Sequence, residues 1–354
     1  MKESPLNSVH VRLGARMKEE SGWRLPAGFT SLLDEHLAAR TSAALFDLSH
    51  LGKFSVSGPG ALDWLEALLS RSLCCCADGM GVATLMLNDQ GMILDRLTVC
   101  RESAGRFFLL SQAAQAEQDF AWLQRHCPGD ALALRDESED LSAIGICGPA
   151  SKAVFARVLR GVDWIQEGAF RRVFYDHEEL RVSRLGVVAE PGFELFCPAS
   201  SGIRWYEAFL AAGAQPCGLE TQECLRVERA HASIRGDLQG HMTPQQAGLA
   251  YLCSEEKDFR GAAALRRERE HPPVYRLAVL VCEEKGLSPL AGARLLNDAG
   301  EVVGQVTSCC RPPHTGRGMA MARLRTAFSA PGTRLHLLHG GQAVPVRVVD
   351  MSIQ

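Results

Sequence analysis

The sequence has no long apolar run, no strong excess of one charge and no nucleotide or serine-nucleophile signature. Each absence removes a class of function. No window reaches about 18 uninterrupted apolar residues, so no segment is predicted to cross a bilayer as a helix. The formal net charge of −3 gives no electrostatic reason to propose nucleic acid or an anionic membrane as partner. G-x-x-x-x-G-K-[ST] is missing, and so is G-x-G-x-x-G between a strand and a helix, which removes the phosphate-cradling loops. G-x-S-x-G is missing too, and the serine-hydrolase reading loses its main support with it. Met1–Asn7 has neither an apolar h-region nor an Arg-rich amphipathic stretch, and the simplest expectation is a cytoplasmic protein. There is no fixed-period repeat and no low-complexity tract.

What remains describes a soluble globular chain. Its 354 residues exceed one ordinary core, so two or three domains are expected. Hydrophobic residues make up 46% and charged ones 22%, a globular balance. Of the 13 cysteines, many sit inside apolar segments, among them Cys100, Cys147, Cys197, Cys217, Cys224 and Cys282. Reduced buried thiols act there as small hydrophobes. Cys74-Cys75-Cys76 and Cys309-Cys310 lack C-x₂-C spacing with a matching second pair, so no metal site is read from them.

Periodicity places a helix over 31–40, with Leu32, Leu33 and Leu37 as its apolar face. Further helices are predicted over 60–70, 112–126, 150–159, 201–212 and 218–231, with strands over 92–99, 106–111, 141–146, 180–184 and 193–197. Charges and two prolines at Glu268–Pro273 mark the clearest boundary, dividing 8–268 from 272–354. Beyond it, short strands separated by Asn297–Gly300, Pro331-Gly332 and Gly340-Gly341 predict a small antiparallel barrel.

Two carboxylates stand out. After the turn Asn88-Asp89-Gln90-Gly91, Asp95 falls inside an apolar strand, where a carboxylate is costly unless something pairs with it. Either a nearby Arg forms a salt bridge, or the group faces a pocket and a substrate nitrogen. Glu194, between Phe193 and Leu195, is in the same predicament: a solvated outer face, or a second ligand contact. Two such carboxylates suit a planar ligand with several N–H donors, such as a pterin or a purine. His36 and His50 are read as structural donors.

The chain resembles the aminomethyltransferase family, the T-protein of the glycine cleavage system, from roughly residue 8 to 350. The strongest motif is Phe46-Asp47-Leu48-Ser49-His50-Leu51-Gly52-Lys53. In family order follow Gly91-Met92-Ile93-Leu94-Asp95, Gly192-Phe193-Glu194, Cys217-Gly218-Leu219, Leu225-Arg226-Val227-Glu228, Lys257-Asp258-Phe259 and Val306-Thr307-Ser308. The resemblance implies a three-lobed α+β folate-binding fold, residues 8–268 in two lobes and the antiparallel barrel over 272–354. It implies transfer of an aminomethyl carbon from a lipoylated carrier protein to tetrahydrofolate, with release of ammonia. Asp95 matches the family's catalytic aspartate, and Glu194 the residue on the pterin edge. Leu51, Gln112, Val187 and Gln222 fall at further folate-contact positions.

Several positions depart from the family pattern. Arg96 replaces a second aspartate, Ala83 and Val187 stand at tyrosine positions, and Gln222 stands where the family has an arginine. Loss of one charge-assisted bond costs about 1.5–3 kcal/mol. Three other readings stay open: a folate-binding accessory protein without transfer chemistry, a demethylase-type subunit working with a separate oxidase, and a degenerate paralogue that binds no ligand. The first lacks its expected cysteine motif in Lys257–Ala262, and the second has no flavin-binding region in this chain.

Overall fold

The computed structural model describes residues 1–350 apart from 130, 163–164, 187–189, 239–240 and 272. The chain divides into two compact units. One comprises Met1–Met86, Asp95–Gln222 and Ser254–Phe259, the other Leu87–Leu94, Glu223–Cys253 and Arg260–Gln354.

Two large sheets build the first unit. The five-stranded sheet runs Met80–Leu87, Ile93–Ser103, Arg106–Ser111, Gly52–Ser57, Ala133–Asp136 in spatial order. The six-stranded sheet runs Phe170–Tyr175, Glu178–Ser183, Gly192–Pro198, Leu141–Cys147, Ala44–Asp47, Gln215–Pro216. Phe108 of the first sheet meets Phe196 of the second edge-on at 5.3 Å, and Arg181 lies 4.5 Å over the Phe108 ring. On the other face of the six-stranded sheet, Phe155 stacks on Phe193 at 4.5 Å and on Phe209 at 5.6 Å, anchoring the helices Ser151–Val158 and Gly202–Ala211.

The helix Leu32–Thr41 starts at an N-cap Ser31 whose hydroxyl accepts from the Asp34 N–H. Its orientation reverses the expectation from apolar spacing. Leu33 and Leu37 are exposed, while Glu35, His36, Ala38 and Ala39 are buried. The reason is the Glu35 carboxylate. It accepts from the N–H groups of Phe29 (2.6 Å), Thr30 (3.1 Å) and Gly218 (2.8 Å) and from the Thr221 hydroxyl (2.7 Å). A carboxylate so fully coordinated outweighs the burial of two leucines.

In the second unit, six antiparallel strands close into a barrel in the order Tyr275–Lys285, Arg317–Arg325, Val302–Cys310, Arg294–Leu296, Arg334–His339, Gln342–Val349. The expected α+β fold ending in an antiparallel barrel is therefore present. The Arg226 guanidinium pairs with Asp237 at 2.7 Å and donates to the Ser308 hydroxyl at 2.9 Å, while Thr307 donates to Asp237 at 2.6 Å. Two motifs some 80 residues apart in sequence thus form one buried polar network. The turn at Asn88–Gly91 is closed by the Asn88 side chain, which accepts from the N–H groups of Gln90 (3.0 Å) and Met92 (2.9 Å). Gly91 takes φ +76° there, a conformation glycine adopts without penalty. Among the described residues no helix is long and apolar enough to cross a membrane.

Replacing Glu35 by Ala leaves several buried donors unpaired, and at about 1–3 kcal/mol each the chain is expected to lose at least 3 kcal/mol of stability. A urea titration of Glu35→Ala beside Leu37→Ala checks this; an equal effect of the two would sink the assignment.

Candidate active site

Strand register brings the first part of the site together. Gly52 lies opposite Ser111, and Thr98 opposite Leu110. The start of Gly52–Ser57, the end of Arg106–Ser111 and the start of Ile93–Ser103 therefore share one end of the sheet. Leu51, Gln112 and Asp95 converge at that end. Gly52 has no room for a side chain: a Cβ there would stand 2.7 Å from Ser111 Oγ and 2.9 Å from Ala116 Cβ. This close approach lets the helix Ala116–Arg125 close over the strand ends.

Asp95 is fully buried, at 0% exposure. Its Oδ2 accepts from the Gln112 N–H at 3.0 Å, and its Oδ1 has no donor. The salt bridge considered for it from sequence is not formed among the described residues. Arg96, next in the strand, acts on it as a nearby charge and through its backbone N–H. The side chain that does approach is another acid, Asp119, which lies within hydrogen-bond reach. Burial raises the Asp95 carboxyl to about 6, against the opposing pull of its hydrogen bonds. Asp119 is pushed well above the ordinary carboxylate range, first by burial and then by the charge of Asp95. A dry pair of acids that forms no ion pair among the described residues is electrostatically unfinished, and a cation would complete it.

The corner before Gly52 is held by Lys53, a lysine at 0% exposure. Its Nζ donates to the carbonyls of Ser49 (2.7 Å) and Leu51 (2.9 Å), and so fixes the Leu51 backbone. Burial lowers its ammonium to about 7, partly offset by Asp47 and Asp136. A neutral amine still supplies both hydrogen bonds. His50 is buried beside it and lowered by burial to about 4, so it is an uncharged structural group at neutral pH.

Glu194 belongs to the other sheet, between Ser183 and Gly145 of its two neighbouring strands. At 2% exposure it is not on a solvated face, which overturns that alternative. The hydroxyl of Ser183 and the N–H of Leu185 (3.2 Å) both donate to its Oε2, holding the carboxylate as an acceptor. Gln222 sits in the first half of the helix Leu219–Glu228, whose entry at Gly218 is tied to Glu35. Val187 lies outside the described residues. A contact joins Gln112 to Asp95; Glu194 and Gln222 sit on separate elements of the same unit.

Asp119 was not singled out from sequence. A signal was present: with Trp122 and Leu123 it occupies one buried face of its helix, and a carboxylate on such a face needs a partner. Lys53 is a second such case, in a strand whose alternation gave no hint that its ammonium end was buried.

Comparison with known proteins follows the same lines. The model of the GCVT N-terminal domain matches residues 6–257, and that of the glycine cleavage T-protein C-terminal barrel domain matches residues 276–353. The chain belongs to the glycine cleavage T-protein family. Similar proteins include the aminomethyltransferase of Geobacillus kaustophilus, 34% identical over 99% of this chain and 98% of that protein. The aminomethyltransferase of Geobacillus thermodenitrificans is 33% identical over 99% and 97%. The crystal structure of glycine cleavage system aminomethyltransferase T from Bartonella henselae is similar with a TM-score of 0.92 and 26% identity, covering 99% of this chain and 97% of that one. The family likeness thus spans both units, the Asp95 strand end and the barrel alike.

The Lys53 site gives a pH test. Its folded pKa lies below the unfolded value, so between about 7 and the ordinary lysine value the unfolded chain binds the extra proton. Stability from this group therefore rises with pH across that window. The stability difference between wild type and Lys53→Met, followed by denaturant melts from pH 7 upwards, is expected to grow in favour of the wild type. A pH-independent difference would refute a buried, depressed lysine.

Proposed function

We propose that this chain is a tetrahydrofolate-dependent aminomethyltransferase of the glycine cleavage T-protein type, with Asp95 as its catalytic carboxylate. The observation that carries the reading is the state of Asp95: fully buried, oriented by the Gln112 N–H, and in no ion pair among the described residues. A carboxylate kept in a dry site at neutral pH stabilises positive charge that develops on a bound one-carbon unit far better than one in water. Tetrahydrofolate, when bound, supplies the nitrogen that takes up the carbon as ammonia leaves.

The chain's own residues fit such a ligand at two places. Asp95 offers an anionic acceptor at the end of the five-stranded sheet, with Leu51 and Gln112 as its flanks. Glu194, oriented by Ser183 and Leu185, offers a second buried carboxylate suited to a pair of ring N–H donors. Gln222 contributes an amide where a guanidinium would give a charge-assisted bond, so affinity for the folate is reduced by about tenfold relative to an arginine. We assign the donor to a lipoylated carrier protein. The setting is the cytoplasm, which suits a chain whose 13 cysteines are all free thiols.

Ammonia release from an aminomethyl-lipoyl carrier in the presence of tetrahydrofolate tests the reading directly. Asp95→Asn is expected to lower the rate by about 10²–10³-fold. In the wild type the rate should fall as the pH drops through about 6, because Asp95 then gains its proton. Folate binding without any release, in a thermal-shift control run alongside, would favour the accessory-protein reading instead.

A further inference from the structure

The Asp95–Asp119 pair points beyond a single catalytic carboxylate. Asp119 enters from the first turn of Ala116–Arg125 and is 2% exposed. Its carboxyl reaches both Asp95 and the Ser111 hydroxyl. Each acid retains one buried oxygen without a donor, Oδ1 of Asp95 and Oδ2 of Asp119. Two ionised carboxylates in such a place would repel each other strongly, and two protonated ones would leave nothing to attract a cation. One proton between them satisfies both orphaned oxygens and leaves a single negative charge.

We propose that Asp119 is a positioning residue for the transfer reaction: it keeps one proton and donates it to Asp95 Oδ1, so that the Asp95 carboxylate is held between that O–H and the Gln112 N–H. This rests on Asp95 being the catalytic carboxylate. No covalent bond is made or broken by the pair, and the proton stays between its two acids. Asp119 is the member that holds it, because burial and the neighbouring charge act on it in the same upward direction, whereas Asp95 is drawn back by its hydrogen bonds. The other groups facing the pair are Ser111, which hydrogen-bonds Asp119, and Arg96, whose charge and backbone N–H favour ionised Asp95. The arrangement fixes the carboxylate's rotation and matches its one negative charge to one positive charge on the substrate.

Asp119→Asn retains a donor in place of the hydroxyl, while Asp119→Ala removes it. In ammonia-release assays the Ala variant is expected to lose kcat by roughly tenfold to a hundredfold, with KM for tetrahydrofolate little changed. Asn should recover about tenfold over Ala, as expected for a retained hydrogen bond to a charged group. The acid limb of the rate should move to higher pH in the Ala variant, since its Asp95 carboxylate has lost a donor. Infrared spectroscopy near neutral pH should show the C=O stretch of a protonated carboxyl in the wild type and its loss in Asp119→Asn; this stands even if the Ala variant does not fold. Absence of that band in the wild type, its persistence unchanged in Asp119→Asn, or equal impairment of the Asn and Ala variants would each overturn the proposal. Normal turnover by Asp95→Asn, with the infrared band still dependent on Asp119, would instead overturn the catalytic reading of Asp95 and take the positioning role with it.

Discussion

A carboxylate buried at the end of a β-sheet, in no ion pair among the described residues, is the constraint on which the site depends. Removing Asp95 from water raises its pKa and makes its ionised form expensive. The fold meets that cost with small means: the N–H groups of Gln112 and Arg96, the Asp119 carboxyl within hydrogen-bond reach, and the nearby charge of Arg96. An arginine packed against Asp95 would have neutralised its charge; on the proposed function, that charge is kept for the positive one-carbon unit. The strand end is accordingly left under-compensated, and the sheet around it supplies the rigidity.

That rigidity comes from other polar groups, each fully used. Glu35 gathers the 29–30 turn and the entry of Leu219–Glu228 onto one carboxylate. Asp47 accepts from Ser4, His10 and the Ser49 N–H. Burial alone would raise Asp47, yet His10 and the two serines hold it down to about 2. Lys53 ties the Ser49–Leu51 corner through two carbonyls. In the second unit Arg226 does the same for the strand Val302–Cys310. The contrast is informative: Glu35 and Asp47 carry three or four donors and Asp47 is held low, whereas Asp95 is raised. A buried acid whose hydrogen bonding does not offset its desolvation is what sets Asp95 apart from the framework carboxylates.

Of the departures from the family pattern, Arg96 adjoins Asp95 and acts on it through its charge and its backbone N–H, while Ala83 and Gln222 leave their own elements intact. Ala83 lies in Met80–Leu87, where a smaller side chain does not disturb strand pairing. Gln222 keeps the helix geometry that an arginine would have used, with its N–H on the Gly218 carbonyl at 3.1 Å.

Much of this was legible along the chain, because strands, turns and barrel are local patterns. The alternation after Gly91, the spaced turns beyond Pro273 and the motif through Lys53 were enough to place Asp95 and Glu194 in strands and to predict the barrel. Helix Leu32–Thr41 shows the limit. Hydrophobic spacing chose Leu33 and Leu37 as the inner face, but the choice depended on donors from residues 29, 30, 218 and 221, which only folding assembles around Glu35. The partner of Asp95 was hidden for the same reason. A sequence marks a carboxylate as costly, but not whether an arginine or a second acid will meet it, since Asp119 lies 24 residues on and reaches it through strand register and helix docking. Periodicity is a property of neighbours in sequence, and it determined the elements and the candidate acids. Electrostatic environment is a sum over neighbours in space, so only the tertiary structure decided which acid was left uncompensated.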